Sequence, residues 1–430
     1  MTAAPRRRVH FVAYEVGASS PAQPRVAAWL RGLLGAGVAV TVHTERHPGA
    51  WIDALACHAG LRVAVIRDPV RRLSALLRGN RNPGPAAGPD ASEPGVLWRL
   101  GYRVQARILF PDPETIWSRR VARQVATAVA PGDLVVTFSR PESVGFAGVA
   151  AKRRGARWWF DFADGWCTQG LRREAMQPGK RREREQTLER RWVAGADVVS
   201  TVDAGLAAAF ARLRAEPDVQ VFPNIVPDEL VVADRAAESG AKDRVVIGYF
   251  GRLSGSDEQR SLAPLLAVLR RAVPERVQFV FCGEYLARDL VEIDALRGLG
   301  CAVEVRGAVP RSELVGLRAG FDAALVVGSP AQPGSSSKLL DVLGLALPVI
   351  AFVAVPSVAA GLVRDAACGE VITLDAPSDA VTTWNRFLDG VRSRAYRVDP
   401  SVRDRYTSAA FVPGLVKRVL ALLAAPVAPP

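Results

Sequence analysis

Three serines and a lysine, Ser335, Ser336, Ser337 and Lys338, open an apolar run that carries one carboxylate, Asp341, a turn further on. Serine side chains cap helix N-termini. The backbone N–H groups left there, with the positive end of the helix dipole, favour an anion. Lys338 adds a full charge. Ser337 and Asp341 are four positions apart and Lys338 and Asp341 three, so on a helix they share a face. One turn rises about 5.4 Å, close to the separation between a diphosphate and the hydroxyls of its attached ribose. A lysine for phosphate and a carboxylate for sugar hydroxyls, one turn apart, suit a nucleotide-diphosphate ligand. The plainer alternative is a serine-capped helix with a surface Lys–Asp pair. Elsewhere the apolar segment VVIGYFG ends in Gly251 followed by Arg252, a small residue and then a cation where a strand must stop.

The first half of the chain offers carboxylates rather than cations as candidates. Asp161 and Asp164 lie in FDFADGW, at the end of a strand-like segment, and Glu142 follows FSRP. Each could bind an acceptor or handle its proton; the alternative for the aspartates is a helix cap beside a packed Trp166. Gly17, after the first strand, could let the chain approach a donor phosphate. None of the four histidines stands in a catalytic context, and His43 and His47 read as loop residues.

The elements that must position these residues alternate between strand and helix. Strand signals fall at 8–16, 38–44, 61–67, 134–139, 157–163, 196–202 and from 219, then at 245–251, 277–283, 303–307, 323–328, 348–353 and 370–374. Continuous Val-rich strands separated by helical segments are the mark of parallel sheets covered on both faces. The Pro/Gly/Asn-rich segment 79–95 reads as a loop. No charge occurs between Asp341 and Arg364, as in a membrane span, but Pro348 and Pro356, with Gly344 and Gly361, interrupt it. A proline inside a helix costs about 3 kcal/mol, so this run is a buried helix–strand–helix unit.

With 430 residues, 49% hydrophobic and 23% charged, the chain is long enough for two or three cores. Five scattered cysteines, with no CxxC pair, argue against a zinc site or a disulfide framework and for a reducing cytosol. The N-terminal apolar run is too short for a signal peptide. The net charge is +13, and roughly +10 of it precedes residue 240. Such a half suits a polyanion or an anionic bilayer. Basic stretches occupy 68–81, 97–110 and 179–191. The second interleaves Leu, Trp, Tyr, Ile and Phe with Arg, as in a helix resting on a membrane. No helix-turn-helix, zinc or RNA-binding signature supports a nucleic-acid partner.

The ordered segments FGRL, FCGEY, VEVRGAVPRSEL and SSSKLLDVLGLALPVIA resemble the donor domain of retaining GT-B glycosyltransferases of the family-four type. PDPETIWSRRVARQV, FSRPES, WWFDFADGW and VFPNIVPDE are similar to the acceptor domain of its polysaccharide and lipopolysaccharide branch. The resemblance implies an α/β chain of the GT-B fold, two doubly wound Rossmann-like domains with an interdomain cleft. The expected acceptor-binding domain is 1–225, with a C-terminal helix at 408–430 crossing back to it. A linker at 226–243 and a donor-binding domain at 244–407 complete the division. The implied activity is transfer of a sugar, with retention, from a nucleotide-sugar to a hydroxyl of a glycan or lipid-linked acceptor. Neither a metal nor a further cofactor is needed. Arg252 and Lys338 would hold the leaving diphosphate beside Gly251, Ser336 and Ser337. Asp341, where the family usually has a glutamate, would hold the ribose, and Arg260 would stand in for a lysine expected after the arginine. Asp164 matches the acidic residue before Trp166. The absence of an Asp-x-Asp pair agrees with cations rather than a metal neutralising the diphosphate. The expected location is cytoplasmic, at the inner face of the cell membrane, through peripheral contact with anionic lipid. The alternatives are a basic nucleic-acid or polyanion-binding protein and a sugar-nucleotide epimerase of the same fold.

Overall fold

The computed structural model of the protein describes residues 7–17, 20, 22–71, 108–167, 179–216, 218–233, 244–255, 257, 259–272, 276–330 and 337–426. Most of the basic stretch 97–110 lies outside them, as do Ser335 and Ser336. The chain divides into two compact units. The first takes in the described residues up to 223 and those from 411 on, and the second those of 224–410.

The first unit is built on seven strands: β1 (Arg8–Val12), β2 (Ala39–Thr44), β3 (Leu61–Val65), β4 (Leu134–Ser139), β5 (Arg157–Phe162), β6 (Val198–Thr201) and β7 (Val219–Val221). Their order is β3-β2-β1-β4-β5-β6-β7, all parallel. The strand direction of travel therefore reverses between β1 and β4. Strand periodicity sends alternate residues of β5 to opposite faces. Trp158, Phe160 and Phe162 enter a core with Trp117, Trp192 and Phe210, beneath helices Thr115–Ala128, Gly145–Lys152, Gly179–Gly195 and Ala204–Ala211. Trp159 turns to the other face, where helix Gln23–Gly35 places Trp29 edge-on against it at 5.1 Å between ring centroids. Phe11, Phe138 and Phe222 pack against the same indole.

The last helix, Ser408–Ala424, lays Phe411, Leu415 and Val419 onto this unit, with Phe411 against Phe222. Its C-terminal carbonyls, which lack partners within the helix, accept from guanidinium groups. Arg7 donates to Leu423 and Ala425, and Arg157 to Leu422, Ala425 and Pro426. The run Pro400–Ala424 is long and apolar enough by composition to cross a membrane.

The second unit has six parallel strands: β8 (Val245–Phe250), β9 (Val277–Cys282), β10 (Ala302–Arg306), β11 (Ala323–Val327), β12 (Val349–Val353) and β13 (Gly369–Thr373). Their order is β10-β9-β8-β11-β12-β13, reversing between β8 and β11. Helices Ser337–Gly344 and Val358–Asp365 cover one face. Ala263–Leu269, Ala287–Gly298 and Ala380–Arg392 cover the other, around Trp384, Phe279 and Phe281. The uncharged run after Asp341 is thus the helix–strand–helix unit expected: Val349–Val353 is wholly buried.

Candidate functional site

In open doubly wound sheets, ligands sit outside the carboxyl ends of the strands where the order reverses. In the second unit that point lies between β8 and β11, and the residues singled out by type converge there. β8 delivers Gly251 and Arg252, and the connection after β11 delivers Ser337 and Lys338 at the start of helix Ser337–Gly344. Ser336 lies outside the described residues.

Gly251 has φ of 94°, and a Cβ added there would stand 3.0 Å from Lys338 Cε. A Cβ at Gly283, after β9, would fall 2.3 Å from the Gly251 carbonyl oxygen. Two glycines therefore let two strand ends and a lysine close on one spot. Lys338 Nζ donates to the Tyr249 hydroxyl at 2.9 Å and to the Arg252 carbonyl oxygen, and lies 4.8 Å from the centre of the Tyr249 ring. Burial pushes the Lys338 ammonium well below its usual range. The Arg260 charge pushes the same way, and Asp341 and Asp289 oppose it. Arg260 is itself buried. Arg252 is exposed and pairs with Glu284, at 2.7 and 3.1 Å. Three cations thus gather at one strand edge.

Asp341 is on the same helix face, but its nearest ionic partner is Arg311, at 3.3 Å. Burial raises its carboxyl to about 6, with Arg311 restraining the rise. Arg311 was not foreseen; PRSEL carries no local signal for it, because its partner lies thirty residues on. Tyr249 and Glu284 were likewise missed.

In the first unit the residues expected to act together separate. Asp161 is wholly buried beneath helix Gln23–Gly35, paired with Arg25 and accepting from Ser200. Burial raises its carboxyl while Arg25 and Ser200 hold it back. This is a core ion pair. The alternation of RWWFDF was the available signal, since it puts Asp161 on the Trp159 face, inside a strand flanked by helices. Asp164, two residues past β5, keeps a third of its side chain exposed and lies 3.6 Å from Arg140.

Glu142 follows β4 and is buried. Near it, burial pushes Asp112 up to about 8, with Glu142 and Glu114 adding to the rise. Glu114 is raised to about 7, also chiefly by burial. Asp112 accepts from the Ser143 backbone N–H and hydroxyl, both at 2.7 Å. PDPE held these two carboxyls, and the sequence reading did not use them. Gly17 follows β1; a Cβ there would meet nothing within 4 Å, so the chain itself does not demand glycine. His10 and His43, on neighbouring strands, stack at 5.5 Å inside the sheet, so His43 is a core residue rather than a loop one. Among the described residues no group of three or more His, Cys, Asp or Glu is placed to hold a metal ion.

No protein-family model and no curated protein sequence matches the chain. Solved structures do. Sucrose-phosphate synthase from Thermosynechococcus elongatus superimposes with a TM-score of 0.64 at 14% identity, over 98% of this chain and 100% of that one. HepE from Anabaena, solved with UDP, gives 0.61 at 14% identity over 96% and 100%. WaaG, a glycosyltransferase involved in lipopolysaccharide biosynthesis, gives 0.53 at 14% identity over 97% and 100%. This is the GT-B fold. Both of its Rossmann-like units are present, with seven and six parallel strands.

Proposed function

We propose that the protein is a glycosyltransferase that moves a sugar from a nucleoside-diphosphate sugar to a hydroxyl of a glycan or lipid-linked acceptor. Configuration at the transferred carbon is retained, and the diphosphate is neutralised by side chains rather than a metal. The observation that carries this reading is the meeting of Arg252, Lys338 and Arg260 at the reversal point of the second sheet, where two glycines let the strand ends and the lysine close on one spot. In the transfer, the bond between the anomeric carbon and the β-phosphate oxygen breaks, and a bond from that carbon to the acceptor oxygen forms. The acceptor's proton leaves to the departing phosphate or a carboxylate. Negative charge develops on the diphosphate, where fixed cations stabilise the transition state most.

In this reading Asp341, one turn along and paired with Arg311, holds the ribose hydroxyls. On the acceptor side Asp164 is the part-exposed carboxylate at a strand end, and Glu142 lies beside Asp112 and Glu114, whose carboxyls burial pushes up to about 8 and about 7. That HepE was solved with UDP, and with UDP and glucose, supports a nucleotide-sugar donor for the shared fold. Arg181 and Arg184 lie over the Phe110 ring at 5.7 and 4.4 Å, and Ile108 is 73% exposed. This mixed basic and apolar surface supports peripheral contact with an anionic membrane, with a lipid-linked acceptor of cell-envelope polysaccharide or lipopolysaccharide synthesis at its cytoplasmic face.

A thermal-shift panel of nucleoside diphosphates and nucleotide-sugars tests the reading. A donor at 100 times its dissociation constant stabilises by about 2.7 kcal/mol. A panel in which nothing raises the melting temperature overturns it.

A further inference from the structure

We infer that Tyr249 is a positioning residue for this anion site, the buried phenol that holds Lys338 and the Gly251–Arg252 turn in one geometry. The inference rests on the donor-binding reading above. Tyr249 is the second-last residue of β8 and 1% exposed, yet its hydroxyl reaches the site. A phenol has one proton to give. Tyr249 gives it to the Arg252 carbonyl oxygen at 2.9 Å, which leaves its oxygen to accept from Lys338 Nζ, also at 2.9 Å. Lys338 Nζ closes the triangle by donating to that same carbonyl, and sits over the Tyr249 ring at 4.8 Å. One side chain therefore fixes the backbone turn that presents Arg252 and, at the same time, the ammonium facing it.

The need follows from the surrounding charges. Arg252 and Arg260 repel the ammonium, while Asp289 and Asp341 attract it from helices Ala287–Gly298 and Ser337–Gly344. Asp341 is also engaged with Arg311. The neutral acceptors at Tyr249 and Arg252 hold the ammonium in place without cancelling the positive potential that an incoming diphosphate requires. A carboxylate in their place would compete with the ligand.

Tyr249→Phe keeps the ring and its contact with the ammonium and removes only the hydroxyl. Calorimetric titration with inorganic pyrophosphate and with UDP is expected to show affinity falling about three- to tenfold for both. In a Lys338→Met background the same substitution is expected to cost less than in the parent, because the share that passes through Lys338 is already lost and only the hold on the Gly251–Arg252 turn remains. Equal losses in both backgrounds overturn the positioning role and leave the donor site standing. If Lys338→Met alone binds pyrophosphate like the parent, the anion site itself fails, and the inference with it.

Discussion

Burial and the Arg260 charge make Lys338 a reluctant cation, so an arriving diphosphate relieves repulsion as well as gaining a contact. Charge-assisted contacts are worth roughly 1.5–3 kcal/mol, so Lys338→Ala and Arg252→Ala are each expected to weaken nucleoside-diphosphate binding about ten- to a hundredfold by calorimetry. Arg252 belongs at the lower end, because it is exposed and must leave Glu284. Asp341→Asn is expected to cost the nucleotide more than bare pyrophosphate; equal effects would mean that Asp341 serves only its pair with Arg311. At the residue scale the protein also carries an acid-sensitive group. Burial, with His10 beside it, lowers His43 to about 3 from an ordinary 6.5. The folded protein keeps this ring neutral where the unfolded chain protonates it. The stability it contributes is therefore complete above pH 6.5 and lost as pH falls towards 3. Its loss has a slope of about 1.4 kcal/mol per pH unit. His43→Gln is expected to flatten the fall in urea-unfolding stability between pH 6 and 4, and an unchanged slope would assign the acid sensitivity elsewhere.

Elements impose tighter limits at the ends of β8 and β9 than their composition suggests. A methyl at Gly283 would press on the Gly251 carbonyl, part of the backbone that shapes the anion site. Gly283→Ala is expected to lower stability by about 1–3 kcal/mol in urea unfolding and to abolish pyrophosphate binding before the fold is lost. Gly17→Ala serves as the contrast, since open space surrounds it. Its melting temperature is expected to match the parent, so that any loss of donor turnover in that variant reports a ligand rather than packing. If Gly283→Ala binds pyrophosphate normally, the strand ends are looser than their geometry implies.

For the whole molecule the charge is uneven, +13 in total with roughly +10 of it before residue 240. Surface charges are screened within about 8 Å at physiological ionic strength. Sedimentation with anionic vesicles is therefore expected to diminish steeply as salt rises and to vanish with neutral lipid. Binding that survives high salt and yields only to detergent would instead assign membrane contact to apolar insertion, with Pro400–Ala424 the first segment to examine.

Strand periods of two, Val-rich runs and the prolines after Asp341 made both parallel sheets legible in the sequence, since local patterns alone decide which segments are strands buried on both faces. The cationic edge was legible too, because Arg252 follows a strand and Lys338 opens a helix within a few residues of chain. The partners were not. Asp161 meets Arg25 across 136 residues, and Lys338 meets Tyr249 across 89. Periodicity tells which face a side chain takes but not which distant side chain waits there. Only the packed sheets turned Asp161 into a core ion pair, left Asp164 part-exposed beside Arg140, gave Asp341 to Arg311 and set a phenol beneath Lys338. A buried charge must find its counter-group in three dimensions, and strand order, not sequence separation, sets which groups are within reach.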